Sequence, residues 1–204
     1  KNNNNLNALL NITSEQKAHI RNNYFQNVNR SKIESQNLII DKLPLSIIEL
    51  GFIKSIFPKS KIILSLRHPC DVIISCYFSF FAINEAMINF LSWDKTINFY
   101  NEVFNLFEIY EKELGINTYK IKYEDIIIDF KKQIKSLLRF LDLKYEDNLE
   151  KFYMTAKKRS KIFTPSYSQV INPLYSTSIN RWKNFSKIKD PYKELEKWIK
   201  KFNF

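Results

Sequence analysis

The sequence predicts an α/β fold with a parallel sheet, on three observations. Asn37–Asp41 (NLIID) and Lys61–Ser65 (KIILS) are short apolar runs of the length and composition of buried strands, and Asn117–Tyr123 (NTYKIKY) alternates as a third. The segments between them space their apolar residues as helices do. Strand, helix and strand in that order make a right-handed βαβ crossover, the unit of a doubly wound sheet.

Taken in order, the chain opens with a polar, Asn-rich stretch, Lys1–Asn5, expected to fray. Thr13 and Gln16 then form a capping box for a helix over Ser14–Val28, with Ile20, Tyr24 and Phe25 on its apolar side. After the Asn37–Asp41 strand, Leu45–Phe57 places Ile48, Phe52, Ile53 and Ile56 on one helical face, and Pro58 stops it. The Lys61–Ser65 strand runs into Leu66-Arg67-His68-Pro69. Proline suits the first turn of a helix, where its missing N–H costs nothing, so a helix is predicted over Cys70–Phe80.

From Ala82 to Ser92 the pattern is poor, and Phe90, Leu91 and Trp93 are expected to pack from a helical or loop excursion. A long helix over Asp94–Leu114 carries the stripe Ile97, Tyr100, Phe104 and Phe107, with Gly115 as its stop. The Asn117–Tyr123 strand follows. Glu124-Asp125 opens a helix to Leu141 whose buried face is Ile126, Phe130, Ile134, Leu137, Leu138 and Leu141, and a shorter helix is expected near Glu146–Lys157. Lys158–Ser186 has two prolines, many hydroxyls and no period, the character of a functional irregular segment. Asp190-Pro191 starts a last helix with Tyr192, Leu195, Trp198, Ile199 and Phe202 on one side.

At 204 residues, 45% of them hydrophobic and 15% aromatic, the chain has the size of one domain with a substantial core. Its net charge of +11 admits two readings: a solvated basic surface, or a contribution to binding a polyanion such as nucleic acid, an anionic membrane or a charged ligand. No block of five basic residues concentrates that charge. Cys70 and Cys76 lie six residues apart on one predicted helix, about 9 Å along its axis and beyond the roughly 7 Å reach of a disulfide. Free thiols fit a reducing compartment, and with no apolar run of membrane-spanning length and no signal peptide, a cytoplasmic protein is the expectation.

Four clusters could carry chemistry: Asp41-Lys42, Arg67 with Ser75, Tyr123, and Ser176–Arg181. Carboxyl ends of parallel strands share one edge, where ligands bind in open α/β sheets, so the first three should converge there. Lysine, arginine, hydroxyl and phenol around one crevice suit phosphate or sulfate. Each residue also has an ordinary role open to it. Lys42 could be a solvated charge, Arg67 the partner of Asp71, Ser75 a helix-surface hydroxyl and Tyr123 a core residue. His68 could be a base or, next to Pro69, structural, and His19 is read as surface. No metal-ligand spacing, GxSxG elbow or CxxC occurs, so no metal is expected.

The stretch NLIIDKLPLSIIELGFIKSIFPKSKIILSLRHPCDVIISCY closely resembles the core of sulfotransferases, especially the bacterial type carried behind tetratricopeptide repeats and the related tyrosylprotein sulfotransferases. YKIKYEDIIIDF and SYSQVINPLYSTSINRWKNF extend the resemblance over about Asn37–Phe185. It implies a P-loop-NTPase-like three-layer sandwich around a central parallel sheet, and transfer of a sulfuryl group from 3′-phosphoadenosine 5′-phosphosulfate to a hydroxyl or amine, without a metal. Arg-x-Pro-x-Asp-Val with a later Ser is the family's 3′-phosphate motif, so the resemblance makes Arg67 and Ser75 ligands of that phosphate. Lys42 then matches the lysine set against the sulfuryl group, and Tyr123 a tyrosine on the adenine side. Ser176, Ser178 and Arg181 become contacts from a covering loop.

The family's glycine-rich phosphosulfate loop and its Glu or His base are not found, since the only glycines are Gly51 and Gly115. With Lys1 in first place, we expect an N-terminally truncated single domain, residues 1–204, lacking its first strand and loop and inactive alone. Within it, 1–36 would be a helical arm, 37–157 the sheet and helices, 158–189 the cofactor-covering loop and 190–204 the last helix. The acceptor, a small molecule, glycan or protein tyrosine, is not legible. Two other classes stay in view: a non-catalytic nucleotide- or anion-binding module of the same fold, and a basic nucleic-acid-binding protein, for which no motif is present.

Overall fold

Among the described residues the sheet has two strands, β1 (Ile62–Leu66) and β2 (Thr118–Lys122), which pair in parallel with Ile62 opposite Thr118 and Leu66 opposite Lys122. The computed structural model describes residues 11–29, 38–158, 171–185 and 187–204. The first residues Lys1–Asn5 and most of the first half of the 158–189 loop lie outside them. The chain packs as two units, Lys1–Lys61 with Val103–Asn117, and Ile62–Glu102 with Thr118–Phe204.

In the first unit, α1 (Ser14–Asn29) begins at the expected capping box: the Gln16 N–H donates to Thr13 Oγ1 at 3.2 Å and the Thr13 N–H to Gln16 Oε1 at 2.9 Å. Tyr24 and Phe25 set their rings edge-on to Phe57, just past α2 (Leu50–Ile56), at 5.1 and 5.9 Å. Arg21 Nη1 donates to the Ile56 carbonyl at 2.9 Å, satisfying one of the acceptors a helix end leaves open. The helix expected over Leu45–Phe57 is divided. Pro44–Ile47 forms a 3₁₀ turn, and α2 starts only at Leu50. Pro44 opens the 3₁₀ turn, where its missing N–H costs nothing.

The predicted strand at Asn37–Asp41 does not form. Asn37 lies outside the described residues, and Leu38–Leu43 is irregular and exposed, with Ile40 at 76%. A strand exists by pairing, and among the described residues β1 and β2 pair only with each other. Val103, Phe104, Phe107 and Tyr110, on the later part of α4 (Trp93–Glu113), are buried in this unit together with Leu50 and Ile56. Tyr110 donates its hydroxyl to the Ile48 carbonyl at 2.7 Å. Gly115, at φ +59°, ends the helix as expected.

In the second unit β1 leads through Arg67-His68 into α3 (Pro69–Tyr77), with Pro69 in the first turn. The helix stops at Tyr77, three residues earlier than predicted, and Phe78 caps it. Along β1 Ile62 and Leu64 are half-buried, Ile63 and Ser65 exposed and Leu66 buried, an alternation where a strand buried throughout was expected. Met87–Leu91 makes a 3₁₀ turn whose Phe90 ring meets Phe81 and Phe99.

Past β2, the single predicted helix to Leu141 is two, α5 (Tyr123–Ile128) and α6 (Phe130–Leu141), broken at Asp129. The Asp129 carboxylate accepts the Lys132 N–H at 3.0 Å and starts α6 as its N-cap, an alternative to the helical turn that aspartate's short side chain favours. A 3₁₀ turn at Asp147–Lys151 precedes α7 (Phe152–Lys158). Last, α8 (Tyr192–Lys201) buries Leu195, Trp198 and Ile199, with Phe202 just beyond, and packs against α3. Trp198 Nε1 donates to Asn101 Oδ1 at 2.7 Å. The architecture is a mixed helix and strand arrangement of the α/β class. No helix among the described residues is long and apolar enough to cross a membrane.

Candidate anion site

The register of the sheet decides what stands at its carboxyl edge. Leu66 and Lys122 are partners, so Arg67 and Tyr123, the next residue on each chain, leave the sheet side by side. The guanidinium carbon of Arg67 lies 5.7 Å from the centre of the Tyr123 ring. Both residues also reach one distant stretch: Arg67 Nη2 donates to the Ser178 carbonyl at 2.5 Å, and the Tyr123 hydroxyl to the Tyr175 carbonyl at 2.5 Å. Burial pushes the Tyr123 phenol above its ordinary range, so it stays a neutral donor.

Arg67 is 23% exposed, yet its Nε is buried and has no hydrogen-bond partner among the described residues. An orphaned guanidinium donor is costly unless an acceptor reaches it, and a planar fork matches an anion with two or more oxygens. Ser75 is half-buried on α3. Within α3 it stands one turn after Asp71, so the two share one line of the helix, while Arg67 precedes the His68 N-cap.

Asp71 is a buried carboxylate beside the site that sequence reasoning saw only as a possible partner for Arg67. Its side chain is 0% exposed. Oδ2 accepts the Asn180 N–H at 2.8 Å and Oδ1 the Trp182 N–H at 2.9 Å, whereas Arg67 Nη2 stands 3.9 Å from Oδ2, outside hydrogen-bond range. The available signal was a carboxylate at an apolar helical position, which must find donors when buried.

His68 is structural here. Its Nδ1 accepts the Cys70 N–H at 3.3 Å as the N-cap of α3, its own N–H donates to Glu124 Oε1 at 2.9 Å, and its ring stacks on Trp182 at 5.6 Å. Burial lowers its pKa, which keeps the ring neutral and Nδ1 an acceptor. His19 is exposed, with Asn23 Nδ2 3.0 Å from its Nε2.

Of the other expected residues, Ser178 is half-buried beside Tyr123 and Arg67, and Ser176 is exposed, its carbonyl closing a turn with the Ile179 N–H at 2.9 Å. Arg181 is exposed and lies over the Phe185 ring at 5.8 Å. Lys42 belongs to the first unit, exposed on the irregular stretch before Pro44, and the neighbouring Asp41 accepts the Tyr24 hydroxyl at 3.1 Å. The expected convergence of strand ends therefore holds for Arg67 and Tyr123 and has no counterpart strand at Asp41-Lys42. Among the described residues no group of His, Cys, Asp and Glu is placed to hold a metal ion.

Comparison with known proteins supplies the family. A relative from Aquifex aeolicus (strain VF5), described as an uncharacterized protein, is 28% identical over 169 residues, 81% of this chain. The chain spans 22% of that relative's length. The model of the sulfotransferase family matches residues 4–147, which include β1, the Arg67 turn, α3, β2 and Tyr123. An arginine turn at a parallel strand end, a neighbouring tyrosine and a family match across both agree, and the chain belongs to the sulfotransferase family.

Proposed function

We propose that this chain binds the 3′-phosphate end of 3′-phosphoadenosine 5′-phosphosulfate and belongs to an enzyme that passes the sulfuryl group to a hydroxyl or amine. The observation that carries this reading is Arg67 at the carboxyl edge of the sheet, next to Tyr123, with a buried Nε in need of an acceptor. Arg67 and Ser75 would hold the 3′-phosphate by charge-assisted and hydroxyl hydrogen bonds. Tyr123, a neutral phenol, would lie on the adenine side, and Ser176, Ser178 and Arg181 would contact the nucleotide from the covering segment. A P-loop-like arrangement of the whole domain accords with the parallel pairing of β1 and β2.

When bound, the donor would supply the sulfuryl group, its bond to the 5′-phosphate oxygen breaking to leave adenosine 3′,5′-bisphosphate as a bond to the acceptor forms and the acceptor's proton passes to a base or to solvent. Such transfers need positioning and charge stabilisation more than covalent help from the protein. Lys42 is assigned the second task, as a cation against the sulfuryl oxygens. The free thiols of Cys70 and Cys76 support a reducing, cytoplasmic setting.

Calorimetry with adenosine 3′,5′-bisphosphate and with adenosine 5′-monophosphate tests the reading. Tighter binding of the bisphosphate is the expected result. Equal or absent binding of both would sink it.

A further inference from the structure

We propose that Asp71 is a positioning residue for the anion site: its buried carboxylate latches the Tyr175–Trp182 segment to α3 and, through the Ser178 carbonyl, sets the guanidinium of Arg67. This inference rests on the reading of Arg67 as a 3′-phosphate ligand. Its own support is geometric. Asn180 takes the left-handed conformation, φ 56° and ψ 22°, and Arg181 then enters a 3₁₀ turn. That sequence of conformations turns nearby N–H groups toward a common point and forms a concavity for an anion. Here the anion is the protein's own carboxylate, receiving Asn180 and Trp182 at 2.8 and 2.9 Å.

The same segment reaches the site through two carbonyls. Ser178 takes Arg67 Nη2 and Tyr175 takes the Tyr123 hydroxyl, so the two residues leaving the strand ends are both held by a stretch that Asp71 anchors. Arginine has many rotamers, and fixing it before the ligand arrives removes part of the ordering cost of binding. Asp71 could instead act only as a counter-charge to Arg67. The two roles predict opposite signs. A counter-charge 3.9 Å from the guanidinium competes with a bound phosphate, so neutralising it would tighten binding, whereas releasing a latch would weaken it.

The test is Asp71→Asn, which keeps the shape and removes the charge, with Asn180→Ala and Asn180→Gly as variants that leave the buried carboxylate in place. Two readouts are followed in the full chain: amide hydrogen exchange at Asn180 and Trp182, and the affinity ratio of adenosine 3′,5′-bisphosphate to adenosine 5′-monophosphate. For Asp71→Asn we expect faster exchange at both amides and a ratio reduced about tenfold, the change that one lost charge-assisted bond brings. Asn180→Ala, strained at positive φ, should move both readouts the same way by a smaller factor, and Asn180→Gly should not. If Asp71→Asn does not fold, the Asn180 pair decides. Unchanged exchange with an unchanged or raised ratio overturns the latch. A wild-type chain that protects both amides yet shows no preference for the bisphosphate overturns the ligand reading beneath it, and that outcome is distinct from the first.

Discussion

Arg67 Nη2 and the carbonyl oxygen of Ser178 meet at 2.5 Å across 111 residues of sequence. One donor of the guanidinium is thereby committed to the protein, and the direction of the planar group is settled by that bond and by the Tyr123 ring below it. A side chain held from two sides presents its remaining N–H groups in one direction, as recognition of an oxyanion requires.

Replacing Arg67 follows directly. A charge-assisted hydrogen bond to phosphate is worth about 1.5–3 kcal/mol, so Arg67→Ala should weaken binding of adenosine 3′,5′-bisphosphate by roughly tenfold to a hundredfold. Arg67→Lys should fall between, because it keeps the charge and loses the fork. Titration calorimetry of the three proteins measures this. An alanine variant that binds as the parent does would remove Arg67 from the site.

Local features were the legible part of this fold. The Thr13–Gln16 box, Pro69 at a helix start, Gly115 at a helix end and both β-strands are decided within a few residues of themselves, and each stands within a residue or two of its predicted place. The Asp129 break was hidden because Phe130 and Ile134 continue the apolar spacing set by Ile126, and only the side-chain bond to Lys132 interrupts it. The failed strand at Leu38–Asp41 shows the other limit, since apolar composition does not supply a pairing partner. At the site, Arg67 and Tyr123 were visible as strand ends. The bonds of Asp71 to Asn180 and Trp182 were not, because nothing local in either segment announces a contact spanning 109 and 111 residues.

Gly115 offers a test of backbone strain without packing. It sits at φ +59°, and a Cβ built there would meet nothing within 4 Å among the described residues. Gly115→Ala should therefore cost only the left-handed conformation, roughly 1–2 kcal/mol, and Gly115→Asn clearly less. Urea unfolding midpoints of the two variants check the ordering. Equal losses would show that side-chain bulk, not backbone, governs the position.

The thiols should be inert in the folded chain. Burial pushes Cys70 up to about 12, with Asp190 and Asp71 adding to it, and burial pushes Cys76 up to about 11, with Arg67 acting against it. Near pH 8 a thiol of that kind is thiolate about one part in a thousand or less, and the thiolate is the reactive form. A disulfide reagent should modify neither until denaturant is added. Rapid reaction of the native protein would contradict the burial of α3.

His68 gives the fold a pH dependence whose sign is set by its surroundings. Its pKa lies below the ordinary 6.5, chiefly because burial disfavours the imidazolium, with Lys183 and Arg67 adding to this and Asp71 and Glu124 opposing. The neutral ring is also the form that can accept the Cys70 N–H and cap α3. In the window between the folded value and 6.5 the unfolded chain binds the proton and the native chain does not, so stability rises with pH there. The contribution is complete above 6.5 and is lost as pH falls below it. Replacing the ring with Asn, which also caps helices, removes the titration while keeping an acceptor. Urea midpoints measured from about pH 7.5 down to about pH 5.5 should fall more steeply for the parent than for His68→Asn. Parallel profiles would mean that the ring protonates as easily in the native chain as in the unfolded one, and that it does not cap α3 as a neutral acceptor.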